Sequence, residues 1–95
     1  MAMTPEKKVK QRVVAQLKAL GAYYFYPVTG GFGSSGVPDV VCCLDGRFIG
    51  IECKAGKGKT TALQDKNLRE ISEAGGLAMV VNEENVEQLT DLLKS

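Results

Sequence analysis

The Asp45-Gly46 pair constrains this chain more than any other dipeptide in it. It separates two apolar runs, Val37 to Leu44 and Phe48 to Cys53. An Asp-Gly pair so placed is a strong hairpin signal, because both residues tolerate the positive φ of a type I′ turn. With a two-residue loop, Leu44 faces Arg47, and every opposed pair has residue numbers summing to 91. Carried outward, that register sets Asp39 against Glu52. Directly opposed residues hold their Cβ atoms roughly 4.5–5.5 Å apart. Lys54 shares their face, since side chains alternate along a strand.

Two facing carboxylates disfavour pairing. Ile49, Ile51 and Cys53 mark a strand that buries its side chains, where an idle charge is costly. A hard divalent cation removes the conflict, because such ions take carboxylate oxygens. The plainer arrangement of the same residues has Asp39 capping a turn after Pro38, with Glu52 and Lys54 on a solvated edge.

Pro38-Asp39, a gap of twelve residues and then Glu52-Cys53-Lys54 resembles the motif of the PD-(D/E)XK nuclease superfamily. The fuller order resembles its VRR-NUC branch: Glu6 on an early helix, Gly-x-Pro-Asp at 36 to 39, Glu-x-Lys at 52 to 54, and Gln64 opening the next helix. Glu-x-Lys alone is common, and the ordered set, spanning positions 6 to 81, carries the resemblance. It implies a restriction-endonuclease-like αβββαβα core filling residues 1–95 as a single domain. It implies that Asp39, Glu52 and the Cys53 carbonyl hold Mg²⁺ or Mn²⁺, with Glu6 a further acid reaching in from the first helix. Lys54 would position or polarise the attacking water, and Gln64 would orient Lys54 or that water. The implied activity is a metal-dependent DNA endonuclease. Stand-alone, phage-type members resemble Holliday-junction resolvases, which makes four-way junctions the leading substrate and a homodimer acting inside a bacterial host the expected form. Two alternatives stand beside it. One is a nicking, flap or restriction-type nuclease with the same site. The other is a catalytically silent DNA-binding module, against which the intact Asp39, Glu52 and Lys54 argue. Longer members carry extra substrate-recognition domains that this chain lacks.

Charge fits a polyanionic partner. Residues 1 to 60 hold nine Lys or Arg against four Asp or Glu, whereas residues 61 to 95 hold three against seven. A basic half around the carboxylate pair suits a phosphate backbone, which attracts Lys and Arg whatever its sequence. A mixed solvated surface would show the same counts. No apolar run approaches the roughly 18 residues of a membrane span, and Lys7, Lys8 and Lys10 precede no apolar core of a signal peptide. Cys42, Cys43 and Cys53 form no C-x-x-C and the chain has no histidine, so no zinc site is expected. Cys42 and Cys53 fall on one apolar hairpin face as small core residues, in keeping with a reduced, cytoplasmic protein.

The first helix is predicted from Pro5 to Leu20, capped by Thr4 and ended by Gly21. Val9, Val13, Leu17 and Leu20 form its inward stripe. Glu6, two turns before Val13, falls on that stripe; it also reads as a first-turn acid complementing the helix dipole. Ala22 to Val28 reads as a buried strand. Gly30 to Gly36 is glycine-rich, and Gly31, Gly33, Ser34 and Ser35 could approach a sugar-phosphate backbone closely or simply form a connection. Ala55 to Thr60 imitates a P-loop but has Cys53 where the first glycine belongs, so no nucleotide cofactor is expected. Lys57 and Lys59, with Lys10, read as phosphate contacts or as solvated lysines. A second helix runs from Ala62 to Ala74 with Leu63, Leu68 and Ile71 inward, and Thr61 with Gln64 makes a capping box. Leu77 to Val81 is a last buried strand. Asn82 caps a short acidic helix with Val86, Leu89, Leu92 and Leu93 inward. The order α-β-β-β-α-β-α gives an α/β fold with a mixed sheet. Tyr23 to Tyr26 and the face around Leu89 and Leu93 are candidate dimer surfaces.

Overall fold

The turn forms as its two residues dictate: Asp45 and Gly46 both take positive φ, 53° and 79°. The computed structural model describes residues 3–28 and 36–94, so Gly31, Gly33, Ser34 and Ser35 lie outside the described residues. In chain order the elements are α1 (Pro5–Leu20), β1 (Tyr23–Phe25), β2 (Val40–Leu44), β3 (Arg47–Cys53), α2 (Ala62–Glu73), β4 (Leu77–Val81), a 3-10 turn (Val86–Gln88) and α3 (Leu89–Lys94). The strands form one mixed sheet in the order β1-β2-β3-β4. The first two pairings are antiparallel, and β4 joins β3 in parallel after the α2 crossover. The hairpin register runs from Leu44↔Arg47 to Val40↔Ile51, as the turn predicts.

Strand alternation sorts the sheet into two faces. Val40 and Cys42 on β2, Ile49, Ile51 and Cys53 on β3, and Val81 on β4 are buried on one face. Against them pack Val9, Val13 and Leu17 of α1, Val86, and Leu89 and Leu93 of α3. The spacing of Val9, Val13 and Leu17 is the 3.6-residue repeat of a helix that buries one stripe. Helix α1 starts where predicted: Thr4 Oγ1 accepts the Lys7 N–H, Pro5 opens the first turn, and Gly21 closes the helix at φ 76°. Among the described residues no helix is long and apolar enough to cross a membrane.

Helix α2 covers the opposite face over β3 and β4 only. Its Ile71 enters a slot that Gly50 leaves open: a Cβ on Gly50 would stand 2.6 Å from Ile71 Cδ1 and 3.0 Å from Pro38 Cγ. Leu68 and Ile71 are half-buried, whereas Leu63 is exposed rather than inward, because it sits at the helix start beyond that slot.

Two further expectations are corrected. The first strand is three residues long, not seven, and it is an exposed edge. Tyr24, opposite Cys42, faces the core, while Tyr23 (73% exposed) and Phe25 (49%) face the side that α2 does not reach. The last helix is shorter than expected because the Asn82 side chain first accepts the N–H groups of Glu84 and Asn85, and a 3-10 turn follows. In the six-residue helix left, only Leu89 and Leu93, four apart, face inward; Leu92 is half exposed. Leu89 and Leu93 are core, which removes them as a dimer surface.

Candidate active site

Asp39 stands one residue beyond the last hairpin pair, in a bend after the buried Pro38. Its carboxylate still reaches the far strand: Oδ2 accepts the Cys53 N–H at 2.8 Å. The approach to this bend is fixed by Gly36, at φ 83°, whose missing side chain would otherwise meet the Leu63 carbonyl carbon at 2.6 Å. Asp39 is therefore placed by the first turn of α2 on one side and by β3 on the other.

Glu52 is 1% exposed, and among the described residues no N–H or hydroxyl group donates to either of its carboxylate oxygens, while the Asp39 carboxyl is close enough to share a proton with it. Buried polar groups are nearly always partnered, so a carboxyl in this position is either held protonated or completed by a ligand. Burial first, then the adjacent Asp39 carboxyl and more weakly Glu6, raise its pKa from 4.5 to about 8 against the opposing Lys54 ammonium. Asp39, Glu6 and Lys54, the other residues named by the motif, thus all act electrostatically on Glu52. Lys54 is held at the sheet end, where its backbone N–H donates to Val81 O at 2.9 Å. The neighbouring Cys53 thiol is pushed up to about 12 by burial, then by Asp39 and Glu52, with Lys10 pulling the other way. That thiol and Cys42 are buried and free.

Glu6 is exposed rather than part of the buried stripe. The first turn of α1 runs past the packed sheet, and there the stripe meets an open cleft of about 240 Å³. Thr4, Glu6, Lys7, Lys10, Asp39 and Cys53 line it. Gln64 serves the capping box: its Oε1 accepts the Thr61 N–H at 2.9 Å, and its own N–H donates to Thr61 Oγ1. The loop with the exposed Lys57 and Lys59 passes Lys54, since a Cβ on Gly58 would lie 3.9 Å from Lys54 Cδ. Glu83 anchors that loop by accepting the Gly56 N–H at 2.6 Å. Nothing in the sequence announces this tether across 27 positions, nor the Gly50 slot that seats Pro38.

Among the described residues no group of three or more His, Cys, Asp or Glu is set to hold a metal. Mg²⁺ does not require such a cage; it keeps several waters and is held through one or two carboxylates plus substrate phosphate. The paired Asp39 and Glu52, with no N–H or hydroxyl donor to either Glu52 oxygen among the described residues, fit that demand.

A mixed four-stranded sheet with helices on both faces and a carboxylate pair at the open end of its hairpin defines the class of fold. More narrowly, the fold is that of VRR_NUC domains. A solved structure described as a VRR_NUC domain superposes with a TM-score of 0.78 at 21% identity, covering 94% of this chain and 97% of that one. A VRR_NUC domain protein gives 0.72 at 17% identity over 99% and 88%. Hjc of Archaeoglobus fulgidus, a Holliday junction resolvase from an archaeal hyperthermophile, gives 0.58 at 21% identity over 81% and 65%. Neither a protein-family model nor a curated protein matches the sequence. At these identities the likeness is one of fold.

Proposed function

We propose that this chain is a metal-dependent endonuclease that hydrolyses phosphodiester bonds of branched DNA, with four-way junctions as its substrate. The observation that carries the reading is Glu52: a fully buried carboxylate, with no N–H or hydroxyl donor among the described residues, set against a second carboxylate. Without a cation such a group keeps its proton, and a divalent ion between the two carboxylates would take that proton's place.

Asp39, Glu52 and the Cys53 carbonyl would hold Mg²⁺ or Mn²⁺, with Glu6 on the cleft that Asp39 and Cys53 line. When bound, the ion lowers the pKa of a water and offsets charge on the phosphate. The chain's residues do the rest. Asp39 is held in register by the Cys53 N–H. Lys54, close enough to act on Glu52, orients the water and balances the charge that grows on the phosphate oxygens, an effect commonly worth about a hundredfold in rate. Gln64 keeps the start of α2 in place through its cap, and thereby the Gly36 bend; this is a positioning role. Lys10, Lys57 and Lys59 contact the backbone on either side.

The junction reading draws on the fold shared with a resolvase and on a surface that suits a two-fold partner. Tyr23, Cys43 and Phe48 lie in one row across three strands, next to Phe25, and all four are exposed. Two symmetric cuts need two such sites, and a second copy supplies the other.

Cleavage of four-way, flapped, nicked and linear duplex DNA, with Mg²⁺ or Mn²⁺ supplied, tests the proposal. Wild-type protein should cut the junction first, and Asp39→Asn or Glu52→Ala should abolish cutting while DNA binding persists. Full cutting by either variant would end the nuclease assignment. Equal cutting of all four substrates would leave a nuclease but remove the junction preference.

A further inference from the structure

A second concavity lies beside the carboxylate cleft. It is a groove of about 630 Å³ along α1, with Tyr26 in its lining. Lys7, Gln11, Val14 and Lys18 recur at helical spacing along it, with Lys10 beside them, and no carboxylate lines it. Lys10 Nζ stands 4.4 Å from the centre of the Tyr26 ring, and that ring remains 46% exposed. Lys7 and Lys10 also line the cleft that holds Asp39. The groove and the cleft therefore adjoin at Lys7 and Lys10.

We propose that this groove is the track for a single, unpaired DNA strand leading to or from the cut. The proposal rests on the nuclease reading and names what its substrate must offer: bases that open beside the scissile phosphate, as they can at a branch point. Charge supports a polyanion. Lys7 and Lys18 are eleven helical rises apart, about 16 Å, enough for a few consecutive phosphates of one strand. Lysines alone would serve a duplex equally well. Tyr26 decides between them, because a half-exposed ring, already polarised by Lys10 on one face, can take a base only if that base is unstacked from a partner strand. Base–aromatic stacking is sequence-tolerant, which suits an enzyme that reads structure.

The test is fluorescence anisotropy in EDTA, using the full chain, with a labelled twenty-residue oligo(dT) and a twenty-base-pair duplex. Tyr26→Ala should weaken oligo(dT) binding about five- to a hundredfold and leave duplex binding within about twofold, and Tyr26→Phe should restore it. Lys18→Ala should lower the slope of log K against log salt for oligo(dT) by about 0.7, the value for one single-strand phosphate contact. Melting curves of each variant show that it is folded, and Tyr26→Phe keeps the test open should Tyr26→Ala unfold. Unchanged oligo(dT) affinity in Tyr26→Ala together with an unchanged slope in Lys18→Ala overturns the track. Equal losses for oligo(dT) and duplex overturn its preference for an unpaired strand. These readouts need no metal and no cleavage, so they are independent of the Asp39→Asn result. Retained cutting by that variant would remove the nuclease reading and leave the strand track to stand on binding.

Discussion

Glu52 concentrates the conflict on which the site is built. In the folded, metal-free chain its proton is held tightly, with a pKa raised from 4.5 to about 8, first by burial and then by Asp39. The folded state therefore binds more protons than the unfolded chain between those values, and stability falls as pH rises through that window. Below about 4.5 the contribution is fully present; above about 8 it is lost. Melting in EDTA should show wild-type protein losing stability from pH 4.5 to 8 relative to Glu52→Gln, which cannot ionise there. Mg²⁺ added at pH 8 should raise the melting temperature of wild type and leave Glu52→Gln unmoved. Parallel pH profiles for the two proteins would show that the carboxylate is not strained. At this scale much was legible. Asp39, Glu52 and Lys54 followed from counting along a hairpin. Glu6 followed only by halves: its helical phase is right, but periodicity does not show where a helix outruns the sheet it packs on. The capping box of Gln64 was legible in full, and the structure bears it out.

Among the elements, the bend from Gly36 to Asp39 does the most to position chemistry. Gly36 combines a left-handed φ of 83° with backbone of α2 at 2.6 Å, whereas Gly21, at φ 76°, has open space around it. The two separate strain from collision. Gly21→Ala should cost only the strain, about 1–2 kcal/mol. Gly36→Ala adds a backbone clash and should melt lower than Gly21→Ala, with cleavage lost beyond what melting explains because Asp39 is displaced. Similar melting and activity for both would mean that the bend yields without consequence. The hairpin and α1 were legible because each announces both ends, by Asp-Gly in one case and by Thr-Pro and Gly in the other. Strand β1 was not, since an aromatic run reads as buried wherever it lies. Exposure of Tyr23 and Phe25 depends on how far α2 extends across the sheet, which no local pattern records.

For the whole molecule, the decisive question is how many copies act. The row of Tyr23, Cys43 and Phe48 next to Phe25 is an apolar face on a small domain, and such faces mark contact sites more often than idle surface. Light scattering should report about twice the 10.2 kDa chain mass, and Tyr23→Glu with Phe25→Glu should halve it. A monomer that stays single on DNA would remove the paired-cut mechanism and leave a strand-nicking enzyme. Charge behaves differently at this scale than in the sequence. The acidic second half does not stand apart from the basic first half, for Glu87 pairs with Arg12 and Glu83 fastens the loop beside Lys54.

The turn at Asp45 and Gly46 touches nothing reactive, yet it is the gauge from which the site is cut. Asp39 lies six residues up one arm and Glu52 six up the other. Because the pleat alternates, a loop longer or shorter by one residue would send one acid to the core face and leave its partner outside. Residues along either arm can be exchanged for others of similar shape without disturbing that distance, but none can be added or removed. The chemistry of this protein is thus protected by arithmetic: its tolerance for substitution is broad, and its tolerance for insertion within the hairpin is nil.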